Sequence, residues 1–283
     1  MKYPQKVAYL GGPGSFSQIG CMQRFPDAEL HACANFERAF RAVETGECDL
    51  GLVPIENSIA GRVTDVHLLL RNSELFIVGE VFVPVEHSLM AIPGASLETI
   101  QKVASHHQAL SQCADFLARS GYQATAVAAT SEAARMVRER GDKSFAAIAH
   151  ESAARHHGLD VLETSIQDFQ DNVTRFVILS RENVAAAQAY ANPITTITLD
   201  FEENPNELHR ALSGFAQNNI TVTRIESYAS RRTLSSASFM IDFMGALEEP
   251  HVRKTVDELT TIASRVHHYG TYESAKQALP QAS

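Results

Sequence analysis

The chain has 283 residues, 45% of them hydrophobic and 20% charged, enough for a large core and two domains. Its formal net charge of −9, with no basic stretch standing out, argues against a nucleic-acid partner. No apolar run approaches the length of a membrane span, so no membrane partner is expected either.

Met1 to Lys6 leads into a strand with no signal-peptide core. The four cysteines (Cys21, Cys33, Cys48, Cys113) show neither C-x-x-C nor zinc spacing and read as small buried hydrophobes of a reducing compartment. A cytoplasmic protein is expected. The six lysines lie outside any motif, which removes support for Schiff-base chemistry.

Residues 7–10 read as a strand, followed by the turn Gly11-Gly12-Pro13-Gly14-Ser15 and a helix through about Phe25. Asn35 is placed to cap the next helix, which opens at Phe36. Residues 50–54 form a short buried strand and 63–70 a helix. Strands over 75–83, 103–105, 124–128 and 145–148 then alternate with helices over 97–101, 107–119, 131–139 and 150–157. This rhythm predicts an α/β fold with mainly parallel pairing. Phe176-Val177-Ile178-Leu179 is apolar and β-branched, hence a further buried strand.

Residues 181–193 are alanine-rich, polar and end at Asn192-Pro193, as a linker does. Beyond it come a strand (194–201), a helix (207–217), two strands (221–228, 236–243), a helix (249–264) and a strand (265–272). That order, β-α-β-β-α-β over 194–273, is the ferredoxin-like unit, with 274–283 left as a tail.

Four polar motifs sit at strand ends. Gly12-Pro13-Gly14-Ser15-Phe16-Ser17 lies between a strand and a helix and suits either a tight turn or a carboxylate site, being neither a dinucleotide fingerprint nor a P-loop. Asn57 and Ser58 serve equally as helix caps or as neutral donors to a ligand at the end of an α/β strand. Ser105-His106-His107-Gln108 precedes a helix that places Gln112 one turn beyond Gln108. Asp171-Asn172-Val173-Thr174-Arg175-Phe176 brings a hydroxyl, an amide, a fixed charge and a ring to the start of a strand. The pairs His106-His107, His156-His157 and His267-His268 lack metal-helix spacing and read as solvated or helix-end histidines, so no metal is expected. Neutral donors plus one arginine suit a small polycarboxylate.

Taken together the motifs resemble those of the prephenate dehydratase family: Tyr9 to Ser17, Val53 to Ser58 with Gly61, Ser105-His106 with Gln108 and Gln112, and Asn172-Val173-Thr174-Arg175-Phe176. The resemblance implies a catalytic domain over 1–180 built of two α/β lobes like a periplasmic binding protein. One lobe would span about 4–79 plus 161–180 and the other about 80–160, with substrate in the cleft. No stretch of chorismate-mutase type precedes Val7, which implies a monofunctional chain.

The reaction implied is conversion of prephenate to phenylpyruvate with loss of water and carbon dioxide, driven by aromatisation and needing no cofactor. By the family's motif, Thr174 would assist the departing hydroxide. Asn57, Ser105 and Gln112 would join it in catalysis, and Arg175, Phe176, Asn172, Ser58 and Gln108 would bind substrate, Arg175 by clamping a carboxylate. Arogenate dehydratase and a non-catalytic sensor are the rival readings.

The C-terminal unit resembles an ACT domain, which implies feedback by L-phenylalanine and a homodimer or homotetramer. Its effector contacts would be Asn206, Glu207, Leu208, Glu226 and Ser227. Two departures stand out: Asn206-Glu207 replaces Gly-Ala, and Tyr228-Ala229 replaces Arg-Pro.

Overall fold

The computed structural model describes residues 5–183, 190–201, 206–229 and 236–275. The expected linker residues 184–189 and tail residues 276–283 lie outside them.

The first half of the chain forms β1 (Lys6–Leu10), α1 (Phe16–Arg24), β2 (Glu29–Cys33), α2 (Phe36–Glu44), β3 (Leu50–Asn57), β4 (Gly61–Arg62), α3 (Thr64–Arg71) and β5 (Phe76–Pro84). Next come β6 (Ser88–Ala91), β7 (Lys102–His106), α4 (His107–Gln112), α5 (Ala114–Ser120), β8 (Gln123–Val127), α6 (Thr130–Arg140), β9 (Phe145–Ala149), α7 (Glu151–His157), β10 (Asp160–Glu163) and β11 (Val173–Ser180). The remainder is β12 (Pro193–Asp200), α8 (Asn206–Gln217), β13 (Val222–Ala229), β14 (Ser236–Met244), α9 (Pro250–Thr260) and β15 (Arg265–Glu273).

The fold is α/β, with two sheets formed by residues 6–180. One has the order β2-β1-β3-β11-β5, with β4 paired to β3; the other runs β10-β6-β9-β7-β8. β1 pairs in parallel with β2 and β3, as β7 does with β8 and β9, whereas β6 pairs antiparallel with β9 and β10. Pairing is therefore mixed.

β2 and β10 escape the sequence pattern because β2 is short and only partly buried and β10 is mostly exposed, and β6 is a buried run of only four residues. The helix expected over 107–119 breaks at Cys113 into α4 and α5. The chain passes between the sheets after Pro84 and again after Glu163, since β10 still pairs in the second sheet.

Packing divides the described residues into two compact units: those of 5–73 and 81–177, and those of 74–80 with 178–275. The first holds most of both sheets, while residues 76–80 of β5 and 178–180 of β11 fall in the second. In the second, β12 pairs antiparallel with β14 and β15 in the sheet β13-β14-β12-β15, which with α8 and α9 is the expected β-α-β-β-α-β unit. Phe215 and Phe243, with ring centres 5.0 Å apart, sit in its apolar core. No helix among the described residues is long and apolar enough to cross a membrane.

Candidate active site

In parallel pairing all carboxyl ends face one way, and that edge is where α/β sheets receive ligands. The residues just beyond β1, β3, β7 and β8 accordingly line a cleft of about 810 Å³, together with Val85, His87, Thr174 and Phe176. α1 and α6 both open onto it, through Ser15–Ser17 and Ala129–Ser131, presenting the partial positive charge of helix N-termini.

Asn57, at the end of β3, organises one wall. Its Oδ1 accepts from the backbone N–H of Ile59 (3.1 Å) and Ala60 (2.8 Å), which fixes the amide's orientation. Its Nδ2 then donates to Asn172 Oδ1 (2.7 Å) and Thr174 Oγ1 (3.0 Å). Thr174 thus accepts from Asn57, and among the described residues its own O–H has no protein acceptor. Thr174 itself lines the cleft, so a bound molecule is the acceptor within its reach. Asn57 and Ser58 cap no helix, because a tight turn and β4 intervene before α3.

Side chains alternate across a strand. Thr174 and Phe176 line the cleft, while Arg175 is 8% exposed, does not line it, and has partners within the protein. Neighbours in a strand lie on opposite faces, so the cleft wall here is formed by Thr174 and Phe176, and the lining gives no support to the carboxylate clamp expected of Arg175. Ser105, expected among the catalytic residues, is absent from the lining as well. It is 0% exposed, and its Oγ donates to Ile148 O at 2.6 Å, tying β7 to β9.

Ser58 and Asn172 also lie outside the cleft lining. The Ser58 N–H donates to Val173 O and its Oγ accepts from Val173 N–H, both at 2.9 Å, stitching the end of β3 to β11. Asn172 is the buried partner of Asn57.

Gln108 and Gln112 line the cleft from α4. His106 caps that helix through Nδ1, which accepts from Gln108 N–H. Two residues not singled out in the sequence join them. Arg62, in the two-residue strand β4, is the only lysine or arginine among the described lining residues. His87, 1% exposed, packs its ring edge to face with Phe16 at 5.7 Å. No motif surrounds His87, and the one hint at Arg62 was its place after Gly61.

Burial lowers the pKa of His87, His106 and His150, the neighbouring His107 adding to the effect at His106. The neutral imidazole is thus favoured at His87 and His106, while Arg62 and the helix N-termini bring positive charge to the lining. His268, expected to be solvated or at a helix end, lies half-buried within β15. Among the described residues no group of three or more His, Cys, Asp or Glu side chains is placed to hold a metal.

The proposed effector residues lie elsewhere. Asn206, Glu207 and Leu208 open α8, and Glu226 and Ser227 lie on β13, with Glu226 Oε1 at 3.4 Å from an Arg224 guanidinium nitrogen.

The family model for prephenate dehydratase matches residues 7–184. A bifunctional N-acyl-homoserine lactone acylase/prephenate dehydratase of Komagataeibacter europaeus is 34% identical over 95% of this chain and 96% of its own. Arogenate dehydratase/prephenate dehydratase 1 of Arabidopsis thaliana, a chloroplastic protein, is 36% identical over 94% of this chain and 71% of its own. Among solved structures, the prephenate dehydratase of Arthrobacter aurescens in complex with L-Phe aligns with a TM-score of 0.88. It is 30% identical, over 98% of this chain and 92% of the other.

Proposed function

The chain belongs to the prephenate dehydratase family, a family of hydro-lyases, and on that premise we propose that it converts prephenate to phenylpyruvate. The observation that carries the reading is the Thr174 hydroxyl, which lines the cleft and accepts from Asn57, leaving its own proton for a bound substrate.

Prephenate needs little persuasion, because its ring becomes aromatic on reaction. As the ring carboxylate leaves as carbon dioxide, the electron pair of that C–C bond passes through the ring and expels the hydroxyl opposite. The oxygen departs as water once it takes a proton. Thr174 supplies that hydrogen bond or proton and is replenished from solvent, help worth roughly 10²–10⁴-fold. Donation from Asn57 into Oγ polarises the O–H outward. Arg62, Gln108, Gln112 and the amides opening α1 and α6 hold the two carboxylates, and Phe16 and Phe176 flank the ring.

Arogenate, with an amine in place of the keto group, is the second reading, supported by the relative that carries both activities in its name. Purified protein incubated separately with prephenate and arogenate tests both: phenylpyruvate from the first supports the proposal, phenylalanine from the second the alternative. No product from either would leave a non-catalytic sensor.

The C-terminal unit acts as an ACT domain that binds L-phenylalanine through Asn206, Glu207, Leu208, Glu226 and Ser227 and pairs the chains as homodimer or homotetramer. The relative solved with L-Phe supports the effector. Adding phenylalanine to the productive assay, with the mass of the particle measured alongside, tests both.

A further inference from the structure

Gln112 ends α4 with its amide at the cleft wall, and the buried ring of His87 meets it from behind at 3.0 Å between Nε2 and Oε1. Both are anchored by the return segment between the lobes. The His87 N–H donates to Gln167 Oε1 (2.9 Å), and His87 O accepts from Ile166 N–H (3.0 Å). Gln112 O accepts from Asp168 N–H at 2.7 Å. Asp168 in turn takes the first amides of α5, from Ala114 (3.0 Å) and Asp115 (3.2 Å). The Gln167 amide is itself fixed, donating to Gln170 Oε1 at 3.0 Å. Only the Gln112 amide itself remains to be oriented.

An amide read by a ring nitrogen has two possible orientations. His87 Nδ1 is fully buried with no hydrogen-bond partner. A proton there would strand a buried donor, whereas a bare lone pair is the better tolerated orphan. The proton therefore belongs on Nε2, which donates to Gln112 Oε1. Gln112 Nε2, for which the described residues offer no acceptor, then points both its hydrogens into the cleft. The reverse orientation would turn a carbonyl oxygen toward a substrate bearing two carboxylates.

We propose that His87 is a positioning residue that fixes the Gln112 amide with its donors toward the substrate. The effect on catalysis rests on the dianionic substrate proposed above; the orientation itself does not.

Two measurements test it. Nitrogen-15 NMR of histidine-labelled protein reads the tautomer directly. The proton is expected on Nε2 of His87, and a proton on Nδ1 would overturn the proposal whether or not the enzyme turns over. The kinetic arm compares two amide replacements. In His87→Gln the side-chain nitrogen reaches the place of Nε2, while in His87→Asn it occupies the place of Nδ1 and falls short of Gln112. His87→Asn is expected to lower kcat/KM about 10–100-fold, the range for a hydrogen bond to a charged group, and His87→Gln to recover most of it. In a Gln112→Met background His87→Asn should cost nothing further.

Equal losses in both single variants at unchanged thermal stability, or losses that add in the double variant, would overturn it. Should the unmodified protein turn over neither prephenate nor arogenate, the functional reading fails while the NMR result still decides the role of His87.

Discussion

Asn57 and Thr174, 117 positions apart, meet through a 3.0 Å hydrogen bond in which the amide donates and the hydroxyl accepts. Because two backbone N–H groups hold the Asn57 carbonyl, its amide cannot turn round to accept from Thr174. Thr174→Ala removes the proton source alone and should lower kcat by about 10²–10⁴-fold with KM little changed. Thr174→Ser should keep most of the rate. Stopped-flow formation of phenylpyruvate measures both, and near-normal turnover in the alanine variant would sink the assignment.

Asn57→Asp tests the same bond from the other side. A carboxylate still accepts from Ile59 and Ala60 but offers no donor to Thr174 or Asn172. The Thr174 proton would then turn inward to the new acceptor, and kcat should fall nearly as far as in Thr174→Ala. A double variant no worse than either single one is the expected signature of residues acting as a unit.

Ser105 and Arg175 should behave as structural residues. Ser105→Ala removes the 2.6 Å bond between β7 and β9, a loss of about 1 kcal/mol in stability, with kcat changed by less than a few-fold. Arg175→Lys substitutes a point charge for a buried planar fork and should cost roughly 1–3 kcal/mol while leaving KM near its original value. Thermal unfolding beside steady-state kinetics separates the effects. A large rise in KM for Arg175→Lys with no loss of stability would restore the clamp.

The contrast shows where sequence reading carried and where it stopped. The alternation of apolar runs located most strands and helices, and the four polar motifs do mark segments at the cleft. Thr174 and Arg175 are adjacent in a strand, and period-two geometry turns them to opposite faces, which a motif read as a run of letters does not show. Ser105 follows Val103-Ala104 in a strand buried from Val103 to Ser105, where its hydroxyl ties β7 to β9. His87 left no local trace, because its meaning comes from Gln112 and from Gln167, both remote in sequence. Arg62 was hidden by a two-residue strand too short to carry any periodicity.

Gly14 joins the lobes closely. Its φ is +83°, and a Cβ built there would lie 2.5 Å from the Ala153 Cα at the start of α7. The Ser152 hydroxyl donates across the same junction to Gly14 O at 3.3 Å. Gly14→Ala is therefore both strained and obstructed, and should destabilise the protein by about 1–3 kcal/mol. The opening turn must also shift away from α7, so kcat/KM should fall although no cleft group has changed. An alanine variant with unaltered kinetics and unfolding temperature would show that the junction yields freely.

His268 provides a pH test confined to the C-terminal unit. Burial, helped by the neighbouring His267 and opposed by Glu248, pulls its pKa down to about 4. The folded unit thus keeps the ring neutral where the unfolded chain, near 6.5, already protonates it. A depressed histidine leaves stability intact above about 6.5, withdraws it as pH falls toward about 4, and adds no further loss below that. The full withdrawal is on the order of 3 kcal/mol, less the share that solvent screens at a partly exposed ring. Hydrogen exchange of the β12, β14 and β15 amides at stepped pH should follow this slope. His268→Asn, which has no titrating ring, should flatten it over the same window, and an unchanged slope in that variant would assign the acid sensitivity to other groups.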